Sequence, residues 1–335
     1  MRRLWQSLAQ RWMLVVVALI ALVSATLAGC GVQPGGASQP ATASVPRFQH
    51  IFLIVMENHD YDDIIGSNQA PHLNALANQY GLATNYWAVA HPSEPNYVAM
   101  VGGSTFGIAD DASYTRNAVN APYLGSQLEA AHLTWKSYQQ GLPAPGYTGE
   151  TASSAGNVYA SKHNPFMNFL TYYPESQRAA ELANVVPADQ LATDLNSGAA
   201  PNFSFITPGL CEDMHGDPAC SNEDTLISAG DNFANDTVTQ IMRSSMWSQG
   251  ANAIIITWDE SSLGVTFGPS GITADGGHVP TIVIANHGPR GVKDGAAYNH
   301  YALLLTIQDA FGLDCLQNSC PAQGGARPMA PLLTP

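Results

Sequence analysis

Short runs of branched and aromatic residues alternate along this chain with segments whose apolar positions recur every three or four residues. His50-Ile51-Phe52-Leu53-Ile54-Val55-Met56 is continuous and apolar, which predicts a strand buried on both faces. Similar runs over residues 82–90, 133–139, 202–206, 251–258 and 279–285 predict further strands; Ala253-Ile254-Ile255-Ile256-Thr257 is the clearest. Between them, Leu73, Leu76, Ala77 and Tyr80 show helical spacing, with Gly81 read as a C-cap. Helices are also expected over 96–101, 123–132, 187–195, 226–245 and 299–311, the last ended by Gly312. Residues 141–173, rich in Gly, Pro, Ser and aromatics, read as a long irregular insertion that could wall a site. Strands alternating with helices predict an α/β fold: a mostly parallel central sheet flanked by helices on both faces.

In such sheets ligands gather outside the carboxyl ends of the strands. Four strand candidates end directly on polar groups: Glu57-Asn58, Ser93, Asp213 with His215, and Asp259-Glu260. His278 instead precedes a strand, so a loop would have to carry it to the others. Ser93 lies between Pro92 and Pro95 at a strand-to-helix turn; by itself it reads equally as a turn or N-cap residue. A serine hydroxyl is a poor nucleophile without a base or a metal, and no Gly-x-Ser-x-Gly elbow is present. Adjacent Asp259 and Glu260 at the end of a buried strand repel each other, and a cation relieves that, although a helix-start acidic pair is the competing reading.

The N-terminus changes the picture of location. Arg2, Arg3 and Arg11 precede an apolar segment over residues 13–23, followed by Leu27-Ala28-Gly29-Cys30. This resembles a bacterial lipobox, which implies a signal peptide over 1–29 and lipidation of Cys30; an ordinary cleaved signal peptide is the alternative. Residues 30–47, with Gly35-Gly36, Pro34, Pro40 and Pro46, predict a flexible tether, leaving residues 48–335 as one domain. An exported, membrane-anchored protein is therefore expected. Formal charge is −14, and without the three leader arginines the remainder is near −17, which argues against a nucleic-acid partner. An anionic substrate is still compatible if metal ions sit in the site. Four cysteines follow Cys30, and their short spacings favour Cys211–Cys220 and Cys315–Cys320 disulfides among three possible pairings.

The ordered motifs Glu57-Asn58-His59, Pro71-His72-Leu73, His91-Pro92-Ser93-Glu94-Pro95-Asn96-Tyr97, Asp213-Met214-His215, Thr257-Trp258-Asp259-Glu260, Gly276-Gly277-His278-Val279-Pro280 and Tyr298-Asn299-His300-Tyr301 run over residues 50–313. They resemble the bacterial phosphoesterase family of acid phosphatases A and non-specific phospholipases C, within the alkaline phosphatase superfamily. The Ser-Glu-Pro-Asn turn also resembles the Thr-x-Pro-Asn turn of nucleotide pyrophosphatases. The resemblance implies an alkaline-phosphatase-like fold and one divalent metal among Glu57, Asn58, Ser93, Asp259 and Glu260. It implies Ser93 as nucleophile through a phosphoserine, Asn96 beside it, and His278 as a further catalytic group. Asp213, His215, His278 and His91 would bind the phosphate or a second metal. Asp213-x-His215 departs from the longer spacing of two-metal enzymes. The resemblance further implies phosphate ester hydrolysis below neutral pH. A phospholipase C acting on lipid phosphodiesters and a non-catalytic binding lipoprotein are the rival readings.

Overall fold

The structure, a computed structural model, describes residues 44–335 apart from 155, 219, 221–224 and 263–267. The signal peptide, Cys30 and the tether as far as residue 43 lie outside the described residues. The chain joins the core earlier than its composition predicts: Val45 and Phe48 are buried, Arg47 donates to the Asp309 carbonyl at 3.2 Å, and Thr334 Oγ1 donates to the Ser44 carbonyl at 3.2 Å.

In chain order, strand β1 (His50–Met56) is followed by helices α1 (Tyr61–Ile64) and α2 (Pro71–Gln79) and by strands β2 (Gly81–Ala83) and β3 (Tyr86–Trp87). Helix α3 (Ser93–Gly102) and helix α4 (Leu124–Ala130) precede β4 (Trp135–Gln139). The insertion then forms a hairpin, β5 (Thr151–Ser154) with β6 (Asn157–Ala160), and two stretches of 3-10 helix, Ser161–His163 and Pro165–Tyr172. Next come α5 (Glu175–Leu182), β7 (Val185–Pro187), α6 (Gln190–Ser197), β8 (Phe203–Thr207), α7 (Leu226–Arg243) and β9 (Asn252–Trp258). The chain closes with β10 (Thr281–Ala285), β11 (Val292–Asp294), β12 (Tyr298–Asn299), α8 (His300–Phe311) and α9 (Pro321–Gly324).

Eight strands form the main sheet in the order β11-β2-β10-β9-β1-β8-β4-β7. Every pairing is parallel except those of β10, which runs antiparallel to both β9 and β2. β8, β9 and β10 are buried at every position, and β1 at all but His50, so both faces of the sheet are covered. That accounts for their continuous apolar runs. Disulfides join Cys211 to Cys220 and Cys315 to Cys320, as the spacings predict.

Several boundaries differ from expectation for identifiable reasons. The 82–90 run is split into β2 and β3 by the polar pair Thr84-Asn85. Gly81 is no C-cap: it starts β2, where a Cβ would stand 3.1 Å from the Val283 carbonyl oxygen and 3.3 Å from Leu332. The close packing of β2 against β10 and the C-terminal tail leaves little room for a side chain there. α3 starts at Ser93 rather than at residue 96, because a proline in the first helical turn removes no intrahelical hydrogen bond. Pro187 ends β7 instead of opening a helix, and α6 starts at Gln190. α5 has no buried residue and therefore left no apolar period to detect.

Candidate active site

The site is assembled by strand register. β1 pairs in parallel with β9, Met56 against Trp258, so the next residues, Glu57 and Asp259, leave the sheet side by side. Asp259 N–H bonds the Met56 carbonyl at 3.0 Å, and Glu57 N–H bonds the Asp213 carbonyl at 2.9 Å. The backbone ladder thus runs just past the strands and sets three acids at adjacent carboxyl ends. Glu57, Asp213 and Asp259 are completely buried, and Glu260 is 3% exposed.

Ser93 is the first residue of α3 and its hydroxyl faces this cluster. Its Oγ donates to Glu260 Oε1 at 3.1 Å or to Glu57 Oε2 at 3.3 Å. His91 Nδ1 bonds Glu260 Oε2. That hydrogen bond raises the histidine's pKa despite partial burial. Tyr97, one turn along α3, donates to Glu57 Oε1 at 2.5 Å. Asn58, in the left-handed region at φ 45°, turns its carboxamide into the cluster. One terminal atom of that amide lies 2.8 Å from Glu57 Oε2 and 3.1 Å from Asp259 Oδ1; as NH2 it donates to both, and a flip of the amide would present its oxygen to a cation instead.

Asn96 is placed otherwise. Its Oδ1 accepts from the N–H groups of Val89 and Ala90, both at 3.0 Å, and its Nδ2 donates to the carbonyls of Ala90 and Pro92 at 2.8 and 3.2 Å. All of its hydrogen-bonding capacity goes to the turn that presents Ser93. His278 arrives at the sheet's carboxyl edge without any special loop, because β10 runs antiparallel and its start lies where its neighbours end. Its ring is stacked between Tyr61 and Trp87, centroids 4.5 and 5.0 Å away, and Nε2 bonds the Thr84 carbonyl at 3.2 Å. It makes no hydrogen bond to Ser93 or the buried acids among the described residues. His215 is exposed, its Nδ1 bonded to the Gly216 carbonyl at 2.8 Å, while its N–H donates to Asp213 Oδ1 at 2.7 Å.

Two residues that sequence reasoning passed over enter from the insertion. His163, 2% exposed, lies between Glu57 Oε1 at 3.2 Å and Asp213 Oδ2 at 3.6 Å and stacks on Tyr97 at 5.1 Å. Its approach to Glu57 is too poorly aligned for a hydrogen bond, so its Nε2 has no partner. Lys162 carries its Nζ to Asp111 Oδ2 at 2.9 Å. A Lys-His pair just before Asn164-Pro165, inside a segment otherwise poor in charge, was the available signal.

Electrostatics single this cluster out. Burial, then mutual repulsion, drives the pKa values of Glu57 and Asp259 well above the usual carboxylate range; burial and Asp259 do the same to Asp213. Burial pushes His163 well below its ordinary value. Nine buried side-chain atoms among the described residues lack a hydrogen-bond partner, and four of them are here: His91 Nε2, His163 Nε2, Asp213 Oδ2 and Asp259 Oδ2. Such concentrated orphaned polarity is expensive unless a ligand supplies partners.

These donors suit a divalent cation. Among the described residues no three His, Cys, Asp or Glu side chains form a metal cage alone. Adding the Ser93 hydroxyl and the Asn58 amide oxygen to Glu57, Asp259 and Glu260 completes an all-oxygen set, and the unpaired Asp259 Oδ2 is a vacant donor within it. A 620 Å³ cleft along α7, lined by Asn232, Asp236, Gln240 and Arg243, is not lined by Ser93 or its acidic neighbours.

A model of the Phosphoesterase family matches residues 67–314. The chain belongs to the Phosphoesterase family. Among similar family proteins, a phosphatidylinositol-3-phosphatase of Mycobacterium tuberculosis is 30% identical over 298 residues, covering 89% of this chain and 88% of the relative. An acid phosphatase of Aspergillus fumigatus is 29% identical over 272 residues, 80% of this chain, which spans 56% of that longer enzyme. Both of these relatives are named as phosphatases. The fold of the chain is that of the alkaline phosphatase superfamily. A member from Vibrio parahaemolyticus superposes with a TM-score of 0.52 at 14% identity, covering 83% of this chain and 72% of that one. A phosphonate monoester hydrolase from Silicibacter pomeroyi gives 0.52 at 15% identity, covering 85% of this chain and 76% of that one.

Proposed function

We propose that this protein hydrolyses phosphate esters with Ser93 as nucleophile and one divalent metal ion as cofactor. The observation that carries this is the Ser93 hydroxyl, 1% exposed, within 3.1 and 3.3 Å of two carboxylates in a cluster whose polar atoms lack partners. Glu57, Asn58, Ser93, Asp259 and Glu260 would hold the ion. When bound, it would offset the buried carboxylates, favour the serine alkoxide and polarise the phosphoryl oxygens.

Ser93 Oγ attacks phosphorus while its proton passes to Glu260 or Glu57, the two carboxylates in reach. The O–P bond to the alcohol breaks on the side opposite Ser93, and the departing oxygen takes a proton from solvent there. Water entering from that side attacks phosphorus, gives a proton to solvent, and releases inorganic phosphate as Ser93 Oγ regains the proton held by the carboxylate. Asn96 holds the turn that aims the hydroxyl, and His91 keeps Glu260 in place. His163, stacked on Tyr97 of α3, would offer the phosphoryl group an unpaired ring nitrogen beside Glu57. His278, stacked between aromatic rings, supports the rim rather than the reacting atoms.

The similar proteins cited above are named as phosphatases, which supports phosphatase over phospholipase C activity. We also infer export with a lipid anchor at Cys30; the two disulfides support an oxidising compartment. Mass spectrometry of the mature N-terminal peptide should show an acylated Cys30, and an unmodified Cys30 would exclude that anchor. The mechanism is tested by acid-quenching the metal-loaded enzyme with a slow phosphate ester and mapping phosphorylated peptides by mass spectrometry. Phosphate on Ser93, absent in Ser93→Ala, is expected; phosphate elsewhere, or none during a measurable burst, would overturn it.

A further inference from the structure

The acids around Ser93 pose a problem that a doubly charged substrate makes worse. Glu57, Asp213, Asp259 and Glu260 are all buried. A phosphate monoester near neutral pH carries about two negative charges, and one divalent cation offsets only part of the total. Additional positive charge has to come from the chain itself.

Beyond the leader there are nine Lys and Arg residues. Most are engaged away from the site: Arg116 with Asp110, Lys136 with Asp194, and Arg290 over the Tyr80 ring. Lys162 is the one described Lys or Arg whose charge bears on both Glu57 and Asp213. It shares its 3-10 turn with His163, which reaches within 3.2 Å of Glu57. Its side chain stays 24% exposed, so the ammonium is open to an incoming group.

Asp111 fixes that ammonium relative to the nucleophile. One oxygen, Oδ2, accepts from Lys162 Nζ at 2.9 Å; the other, Oδ1, accepts from the backbone N–H of Glu94 at 2.9 Å. Glu94 directly follows Ser93. A single carboxylate therefore spans from the first turn of α3 to the lysine. An ammonium has three donors, so Lys162 can keep Asp111 and still donate to a phosphate oxygen.

We propose that Lys162, set in place by Asp111, selects dianionic phosphate monoesters over monoanionic diesters at this site. The proposal rests on the phosphoesterase reading above. In a monoester the third non-bridging oxygen is charged and accepts from the ammonium. In a diester that oxygen is esterified, so the contact and its charge are both lost.

The test compares kcat/KM for p-nitrophenyl phosphate and bis(p-nitrophenyl) phosphate in wild type, Lys162→Met, Lys162→Arg and Asp111→Asn, all with saturating divalent metal. Lys162→Met should lower the monoester value about 100-fold and the diester value less than about fivefold, as expected for losing one charge-assisted contact. Lys162→Arg should restore most of the monoester preference, and Asp111→Asn should shift the ratio the same way by a smaller factor. Misfolding reduces both substrates together, so an unchanged ratio in Lys162→Met would overturn the proposal. If wild type turns over neither ester, the phosphoesterase reading fails instead. Calorimetric binding of inorganic phosphate then judges Lys162 separately: weaker binding by Lys162→Met supports its role, and equal binding overturns it.

Discussion

Asp194 and Asp259 are both buried aspartates, and the fold treats them in opposite ways. Asp194 on α6 receives Lys136 Nζ and Tyr138 OH, each at 2.6 Å, and Gln190 Nε2 at 3.1 Å. Burial would raise its pKa, but these hydrogen bonds outweigh it and hold the carboxyl below its ordinary range. Asp259 accepts from the Asn58 backbone N–H at 3.3 Å, but its Oδ2 is unpaired and its neighbours are acids. One acid is completed by the protein and ties β4 to α6. The other is left incomplete, at a cost to stability, in the place where Ser93, the first residue of α3, waits. A buried charge that the fold does not satisfy marks where a ligand belongs.

Substitutions should separate the two regions, and the largest effect falls on Ser93. Ser93→Ala should reduce kcat by roughly 10⁴-fold or more with little change in melting temperature; near-normal turnover would remove the serine from the mechanism. Asp259→Asn should weaken divalent metal binding by at least roughly 10- to 100-fold, read by metal titration, while leaving the metal-stripped protein as stable as wild type or more so. Destabilisation of the metal-stripped variant would erase the contrast drawn here. Asp194→Asn is the mirror image. It strands Lys136, and because that lysine is about a quarter exposed the loss should be nearer 2 kcal/mol than the larger cost of a fully buried pair, with kcat/KM preserved. Equilibrium denaturation and a steady-state assay on the same preparation distinguish these cases.

A further contrast lies in pH dependence. In metal-stripped protein Glu57, Asp213 and Asp259 hold protons more tightly folded than unfolded. Their contribution to stability is present at acid pH and lost as pH rises through their raised values, so melting temperature should fall from about pH 5 to pH 8. A saturating divalent cation should oppose that fall, by about 2.7 kcal/mol at a hundredfold excess over Kd. Asp194, with its lowered pKa, works in the other direction: its contribution holds above the ordinary aspartate range and is lost as pH falls through the lowered value. A metal-stripped protein that gained stability toward pH 8 would contradict the assignment of the strand-end acids as an unsatisfied cluster.

What could be read from the sequence follows from what local pattern encodes. Continuous apolar runs named β1, β8, β9 and β10 because a strand buried on both faces must be apolar throughout. The polar residues that end those runs marked Glu57, Asp213 and Asp259, and cysteine spacing gave both disulfides. Strand direction is a property of the sheet, not of a strand. No residue in Thr281–Ala285 announces that β10 runs against its neighbours, so the place of His278 at the active edge had to come from the sheet itself. Asn96 sits in the nucleophile motif, yet only the folded turn shows that its amide is consumed by Val89, Ala90 and Pro92. Lys162 and His163 reach Glu57 across more than a hundred residues, from a segment without periodicity. Sequence alone determined which strands carry acids to one edge; tertiary packing decided which of those acids are left unsatisfied, and which cation and histidine face them.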